Sequence, residues 1–258
     1  VFSGPSYALL DRSFREARQS HIETSQAGMA KRGHHLIAYF GGSDSTDLTC
    51  RTLRALRLAD LEELEATFVL GSNYRQADAA RALATSRTGL AVVPAQQSLA
   101  PLMSRSTMAI GAGGTSNWER LCMGIPSIVM ALAPNQEASS TALGARNLIR
   151  YLGPDTAVTE GEIAAELAGL MSGRTWLRSD LGQALVDGRG ALRVAELMDP
   201  TPEHRLRLRP ANVDDVGQYY TWANDPEVRN NSFSPEPIPW EQHRVWFMDL
   251  SLIHISEP

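Results

Sequence analysis

The feature that most restricts the fold of this chain is a regular alternation of short apolar runs with longer amphipathic segments. Each run is bounded by Gly, Pro, Asn, Asp or Ser, as β-strands are, and the runs cover residues 35–40, 66–70, 90–93, 107–110 and 127–132. Between them, apolar residues recur at helical spacing, as at Leu53 and Leu56. Because strands that alternate with helices form parallel sheets covered on both faces, we predict an α/β domain with a Rossmann-like parallel sheet.

The periodic pattern changes near residue 200. Two prolines interrupt it at Pro200 and Pro202, and such residues are typical of a linker. Further elements are predicted over residues 160–171, 177–198, 206–210 (a strand), 213–222 and 241–250. We therefore predict a sheet domain at residues 1–199, a linker at 200–205 and a partial α+β domain at 206–250. Residues 251–258 form a tail that continues no pattern and is expected to be non-native.

The composition is that of an ordinary globular protein, and it excludes several classes of function. Of 258 residues, 43% are apolar and 21% charged, and the net charge of -5 does not indicate a partner nucleic acid. The two cysteines lack metal-ligand spacing, so no metal and no cofactor is predicted. The longest apolar stretch, residues 125–133, is far below the ~20 residues that cross a bilayer. We expect a cytoplasmic protein without a membrane partner, and the oligomeric state stays open.

Three glycine-bearing loops directly follow predicted strands. The first loop contains Gly41, Gly42, Ser43 and Asp44; the second contains Gly71, Ser72 and Asn73; the third contains Gly113, Gly114, Thr115 and Ser116. Glycine lets the backbone approach a ligand closely, and the helix that follows offers free N–H groups and a positive dipole end to a phosphate. Thr115 and Ser116 are predicted to add hydroxyl donors at the N-cap position of the third helix.

Each of these loops also has a purely structural interpretation. The pair Gly41-Gly42 is equally consistent with a tight turn, and the second loop is more typical of a structural turn than of a binding site. Neither the Walker pattern GxxxxGK[ST] nor GxGxxG occurs, which excludes a P-loop ATPase and a standard NAD fold. Taken together, the three loops favour phosphate binding at the carboxyl ends of the strands.

Three side chains near the third loop have two interpretations each. Glu119 follows in the first helical turn, where its carboxylate could accept hydrogen bonds from a ribose diol; alternatively, it forms a capping box with Ser116. Asn135 and Gln136 follow the strand at 127–132, and their amides suit sugar hydroxyls or N-acetyl groups as well as they suit capping of the next helix. The residues alone leave both choices open.

Several of these stretches resemble a known family. The resemblance is carried by Gly111-Ala112-Gly113-Gly114-Thr115-Ser116-Asn117-Trp118-Glu119-Arg120, Gly124-Ile125-Pro126-Ser127 and Ala133-Pro134-Asn135-Gln136, with weaker support from residues 4–10 and 40–44. They are similar to the C-terminal domain of the UDP-sugar hydrolase of pseudaminic acid biosynthesis, a relative of the peptidoglycan N-acetylglucosaminyltransferase with two Rossmann-like domains, the glycosyltransferase-B fold. The likeness covers about residues 4–198.

The resemblance implies hydrolysis of a UDP-linked 2,4-diacetamido-2,4,6-trideoxyhexose, with UDP-sugar as the partner. It implies that the third loop holds the diphosphate, Glu119 the ribose and Asn135-Gln136 the sugar side, with the backbone of residues 71–73 facing uracil. The family's catalytic His lies in its N-terminal domain, and no residue of this chain matches it. We therefore expect this chain to supply mainly the nucleotide-binding half and to be inactive alone. A glycosyltransferase and a non-catalytic UDP-binding fragment are the alternatives.

The region after residue 205 resembles the start of a GNAT-type acetyltransferase. The matching stretches are residues 206–211, 222–229 and 243–247. A glycine-rich loop for the pyrophosphate of acetyl-CoA would come later in that family and has no counterpart in this sequence. The resemblance implies a truncated GNAT-like segment, and we do not expect it to transfer acetyl groups.

Overall fold

The computed structural model describes residues 3–26, 33–173, 177–198, 209, 211–230, 232 and 235–255, and it describes the side chains there except at 21–26 and 250–255. Contacts between Cα atoms divide the chain into two units, Val1–Pro200 and Thr201–Pro258. The strand predicted at 206–210, the linker at 200–205 and the last three residues of the predicted tail lie almost wholly outside the described residues.

The first unit is a six-stranded parallel sheet with helices on both faces. Its strands are β1 (His35–Tyr39), β2 (Glu65–Val69), β3 (Leu90–Val93), β4 (Met108–Ala112), β5 (Ser127–Ala131) and β6 (Arg150–Pro154). Its helices are α1 (Arg12–Gln26), α2 (Leu48–Leu58), α3 (Ala77–Thr85), α4 (Ala100–Met103), α5 (Thr115–Met123), α6 (Pro134–Ala145), α7 (Glu160–Met171), α8 (Ser179–Leu185) and α9 (Gly190–Met198). The predicted α/β parallel sheet is confirmed.

Alternate residues of the buried strands point to two separate cores, as the period of two in a strand requires. In β1, Leu36 and Ala38 face the core that includes residues of α2, α3 and α7, whereas Ile37 faces the core that includes residues of α1, α4, α5 and α8. Strands covered on both faces are near-continuously apolar, as the Ser127–Ala131 strand is: all five of its residues are buried.

The strand order is β3-β2-β1-β4-β5-β6. The chain therefore runs outward from β1 to β3 and then returns to the other side of β1, so β1 and β4 are neighbours with Ile37 opposite Ala109. Where the direction of strand addition reverses, the loops after β1 and β4 lead to opposite faces and leave a crevice between them. In open α/β sheets this crevice is the usual ligand site.

Two sequence-based predictions of elements differ from the structure. The edge strand β6 was not predicted, because Arg150, Gly153 and Pro154 interrupt its apolar pattern; a β-bulge between Val129 and Met130 accompanies its pairing. The single helix predicted at 177–198 is instead α8 and α9, because the chain leaves the helical conformation at Val186, whose φ of -124° and ψ of 94° are extended.

The second unit contains three described helices, α10 (Val216–Ala223), α11 (Pro226–Asn230) and α12 (Trp240–Ile255). Helix α10 packs on α12 through aromatic pairs: the rings of Tyr219 and Phe247 are 5.1 Å apart, and so are those of Tyr220 and Trp240. Helix α12 extends five residues past the helix end predicted at residue 250.

Candidate functional site

The residues predicted to bind a ligand follow the carboxyl ends of β1, β2, β4 and β5, so they lie along one edge of the sheet. The structure brings them together in two pairs. The second loop packs on the first, since the Asn73 N–H donates to the Gly42 carbonyl at 2.9 Å. The third loop packs on α6, where a Cβ on Gly113 would lie 3.0 Å from the Cβ of Gln136.

The third loop presents an open helix N-terminus. The Gly113 N–H donates to the Met130 carbonyl at 2.8 Å and fixes the loop to β5. Gly114 is the N-cap of α5, with a φ of 97° and a ψ of -151°, and no side chain caps the helix. The Asn117 N–H donates to the Gly114 carbonyl at 3.0 Å. The N–H groups of Thr115 and Ser116 and the positive end of the dipole have no side-chain cap, which is the arrangement that binds phosphate.

The prediction that Thr115 and Ser116 occupy the N-cap position is wrong. They are the first and second helical residues, because the N-cap conformation has a positive φ that glycine adopts and a β-branched residue does not. A side chain on the neighbouring Gly113 is excluded for another reason: its Cβ would lie 2.8 Å from the Ser140 Oγ.

Glu119 carries a carboxylate oxygen without a partner. Its Oε2 is buried and has no hydrogen-bond partner among the described residues. Burial raises the pKa of Glu119, while Arg120 and a hydrogen bond with Ser116 lower it in part. Burial and the nearby Glu119 charge raise the pKa of Tyr39, at the end of β1. Because Gly114 is the N-cap, Glu119 and Ser116 do not form the capping box that was the alternative interpretation.

The carboxamide of Gln136 has a defined orientation. Its Oε1 accepts a hydrogen bond from the Leu132 N–H at 2.9 Å, which assigns oxygen and nitrogen to their positions in the amide. The Nε2 then lies on the side of the third loop, 3.7 Å from where a Cβ of Gly114 would be. Neither Asn135 nor Gln136 caps α6, whose N-cap is Ala133. Asn135 is exposed.

The first loop differs from the third because its helix N-terminus is already occupied. Asp44, 3% exposed, accepts hydrogen bonds from the N–H groups of Leu48 and Thr49 at 2.8 Å each. Burial raises the pKa of Asp44, and the bonds from Thr49 and Leu48 lower it in part. An internal carboxylate thus sits where an external anion would bind α2, which leaves the exposed backbone of Gly42 and Ser43 as the accessible part of this loop.

The second loop supports the first. A Cβ on Gly71 would overlap the carbonyl oxygens of Gly41 and Gly42, so close packing of two backbones accounts for this glycine. The Tyr74 hydroxyl donates to Asp47 at 2.5 Å and holds the start of α2. Ser72 and Asn73 are exposed.

Sequence reasoning did not identify Arg120 as part of this site. Its side chain is 1% exposed and lies directly behind the third loop, where Nη2 donates to the Ala112 carbonyl at 2.7 Å. A usable signal existed: Asn117, Arg120 and Met123 recur at a spacing of three and are all buried. A charged residue on the buried stripe of a helix requires a special partner.

The described residues contain no group of three or more His, Cys, Asp or Glu side chains suited to hold a metal ion. In the same part of the chain, no helix combines the length and the apolar character needed to cross a bilayer. The site described above therefore consists of backbone N–H groups, one carboxylate, one carboxamide and a buried guanidinium.

Comparison with known proteins gives distant relatives. The chain matches no protein-family model. It is 26% identical over 210 residues to the spore coat polysaccharide biosynthesis protein SpsG of Bacillus subtilis, a match that covers 80% of this chain and 60% of the relative. It is 23% identical over 252 residues to an uncharacterized protein of Methanocaldococcus jannaschii, which covers 96% of this chain and 49% of the relative. The chain thus spans about half to three fifths of the curated relatives that it matches.

Solved structures show the fold. MurG of Acinetobacter baumannii superposes with a TM-score of 0.55 at 18% identity, over 71% of this chain and 53% of that chain. The glycotransferase of kitacinnamycin superposes with a TM-score of 0.53 at 20% identity, over 67% of this chain and 44% of that chain. The parallel sheet of the first unit has the fold of one part of these glycosyltransferase-B structures.

Proposed function

We propose that the first unit binds the UDP moiety of a nucleotide sugar, and that the protein hydrolyses a UDP-linked 2,4-diacetamido-2,4,6-trideoxyhexose to free sugar and UDP. In this proposal the N–H groups at the start of α5 hold the diphosphate. Glu119 accepts hydrogen bonds from the ribose hydroxyls, and Gln136 donates from its amide nitrogen. The backbone of residues 71–73 faces the uracil.

The observation that carries the proposal is the pairing of an uncapped helix N-terminus with an unsatisfied carboxylate on the same helix. Gly114 leaves the first turn of α5 without a side-chain cap, and the Oε2 of Glu119, at the second turn, is buried without a donor. A buried polar atom without a hydrogen bond costs about 1–3 kcal/mol, which a donor from a ligand would recover. A nucleoside diphosphate presents an anion and two hydroxyl donors about one helical turn apart, which suits both features.

The relatives support a role in sugar chemistry. The Bacillus relative is named for spore coat polysaccharide biosynthesis, and two of the structures that superpose on this chain are described as MurG and a glycotransferase. The crevice at the β1–β4 switch of this chain lies where open α/β sheets bind ligands, which is compatible with nucleotide binding. The choice of a hydrolase rests on the resemblance of residues 111–120 and 133–136 to the hydrolase of pseudaminic acid biosynthesis.

The proposed hydrolysis needs a general base that activates water. The water attacks either the anomeric carbon, so that UDP leaves, or a phosphorus atom, so that the sugar leaves. The described residues of the first unit supply the grip on UDP, which orients the bond to be broken and stabilises the charge that develops on the leaving diphosphate. We place the base in the N-terminal domain of the family, to which no residue of this chain corresponds.

We also propose that residues 206–250 are the start of an acetyltransferase-like domain.

A glycosyltransferase is the second candidate, because the same grip on UDP serves transfer to an acceptor other than water. The third is a module that binds UDP without catalysis. The experiment that separates them incubates the UDP-linked diacetamido sugar with the longest expressed form of the protein, with and without a sugar acceptor, and follows UDP and free sugar by NMR. Free sugar without an acceptor supports the hydrolase. Turnover only with an acceptor supports the transferase, and no turnover in either arm supports the binding module.

A further inference from the structure

Arg120 is the largest fully buried side chain of the described residues, and its charge has no acidic partner in an ion pair there. Its Nη2 donates to two neutral acceptors, the Ala112 carbonyl and the Asn117 Oδ1, each at 2.7 Å. Its Nε has no hydrogen-bond partner among the described residues. Burial lowers the pKa of Arg120 to about 10, so the guanidinium is still protonated at neutral pH.

A buried charge without a counter-ion is costly, and natural chains keep one where something compensates for the cost. Glu119 is the carboxylate whose charge acts on Arg120, but the two side chains form no ion pair among the described contacts. Glu119 directs one oxygen to Ser116 and leaves the other unpaired. Within the described residues, Glu119 therefore compensates the charge of Arg120 only in part and without a direct ion pair.

The position of the guanidinium indicates what does compensate it. Ala112, whose carbonyl it bonds, is the last residue of β4 and is followed by the Gly113-Gly114 loop. Asn117, its other acceptor, lies in the first turn of α5. The charge is thus held immediately beneath the loop and the open helix end. At an effective dielectric constant of about 20, the attraction between a unit positive charge and a phosphate about 8 Å away is still strong enough to raise the affinity at least tenfold.

We propose that Arg120 is the fixed counter-charge of the diphosphate: it selects for the negative charge of the two phosphates through the backbone of the third loop, without touching them. This inference rests on the proposed function, since it assumes that a nucleoside diphosphate occupies the loop. It assigns to Arg120 a positioning and electrostatic role, and it explains why the chain keeps a charge inside this helix.

A purely mechanical role is the competing explanation. By bonding the end of β4 and the first turn of α5 together, Arg120 braces the loop, and a neutral donor would then serve equally well. The two explanations differ in what they predict at Asn117. Asn117→Asp keeps an oxygen acceptor for Arg120 and adds a negative charge that neutralises the guanidinium, whereas the matched control Asn117→Ala removes the hydrogen bond and leaves the charge.

The experiment measures, by calorimetry and competition, the ratio of the affinities of UDP and uridine for the whole chain and for each variant. This ratio isolates the contribution of the two phosphates. We expect Asn117→Asp to lower the ratio about tenfold and Asn117→Ala to leave it within about twofold. The opposite pattern, a lower ratio in Asn117→Ala and an unchanged one in Asn117→Asp, overturns the proposal in favour of a brace.

Arg120→Gln is the second variant, and it covers the case in which an Asn117 variant does not fold. It removes the charge and keeps a hydrogen-bond donor, so we expect a UDP-to-uridine ratio about tenfold lower with an unchanged or higher melting temperature. An unchanged ratio in a folded Arg120→Gln chain overturns the counter-charge. If the unsubstituted chain binds no UDP, both this inference and the proposed function fail; if it binds UDP and only the ratios stay constant, the inference alone fails.

Discussion

Two helices begin at the crevice between β1 and β4, and both follow a glycine pair, but their N-termini are in opposite states. The N-terminus of α2 is filled by Asp44, whose two carboxylate oxygens accept the N–H groups of Leu48 and Thr49. The N-terminus of α5 has no side-chain cap and a glycine at the N-cap. One helix end is capped by a side chain of the chain itself, and the other has no side-chain cap, which is the end that we propose binds the diphosphate.

The comparison shows what a glycine-rich loop by itself does and does not indicate. In the sequence, Gly41-Gly42 and Gly113-Gly114 predict the same function. Their helices differ because Asp44, three positions after Gly41, fills the N-terminus of α2. The acidic residue of the third loop region, Glu119, follows its helix start instead of preceding it, and so leaves the N–H groups free. An anion is therefore expected at α5 and not at α2.

The largest effect is expected when a bulky side chain is placed at the open helix end. Gly114→Val should abolish UDP binding, a loss of at least about a hundredfold, because a β-branched residue does not adopt a φ of 97° and its side chain would cover the N–H groups. The matched control is Gly42→Val in the first loop, where no atom lies within 4 Å of the added Cβ. Equal losses of UDP affinity in the two variants would contradict the distinction between the loops.

The next effect concerns the carboxylate of α5. Glu119→Gln should weaken UDP binding by about 1–3 kcal/mol, since a charge-assisted hydrogen bond to the ribose becomes a neutral one. Calorimetry with UDP and with 2′-deoxy-UDP provides the check: the unsubstituted chain should prefer UDP, and the variant should lose that preference. A variant that loses melting temperature but keeps its affinity for UDP would place Glu119 in a structural role only.

The same carboxylate predicts a pH dependence. Burial raises the pKa of Glu119 above its usual value, so the carboxylate becomes protonated, and loses an acceptor, at a higher pH than an exposed glutamate would. UDP affinity should therefore be complete above the raised pKa and fall as the pH decreases through it. Titrations from neutral pH downward in the unsubstituted chain and in Glu119→Gln test this, because the titration of UDP itself is the same in both and cancels in the difference between the two curves. Parallel curves would count against the assignment.

The smallest effect on UDP affinity is expected at the filled helix end. Asp44→Asn removes one acceptor for the N–H groups of α2 and should cost about 1–2 kcal/mol in the free energy of unfolding, measured by chemical denaturation. UDP affinity should change by less than about twofold, since α2 does not hold the anion. A loss of affinity larger than the one seen in Glu119→Gln would mean that the first loop binds the phosphates after all.

Much of the first unit could be predicted from the sequence, since buried parallel strands are short, apolar and bounded by turn residues. The strand at residues 127–131 was predicted to within one residue for this reason. The edge strand β6 was missed because an edge strand is half-exposed and tolerates Arg150 and Pro154, so it lacks an apolar run. The break between α8 and α9 depends on the extended backbone of Val186, which residue type alone does not give.

The candidate site was predictable in its location but not in its chemistry. Loops after β1, β2, β4 and β5 meet at one edge because the strands are parallel, and this follows from the pattern alone. That Asp44 folds back onto α2, and that Gln136 directs its amide oxygen to the Leu132 N–H, depends on side-chain conformations set by tertiary packing. Arg120 lies at helical spacing from Asn117 and Met123, but its hydrogen bonds to Ala112 and Asn117 become visible only once α5 is packed.

The central claim is that the open N-terminus of α5 and Glu119 together form a site for UDP. The most direct test is isothermal titration of the whole chain with UDP, with AMP and NAD as controls. The account predicts saturable binding of UDP with one site per chain, and much weaker binding of AMP and NAD. Equal affinity for all three nucleotides, or no binding of UDP, would contradict it.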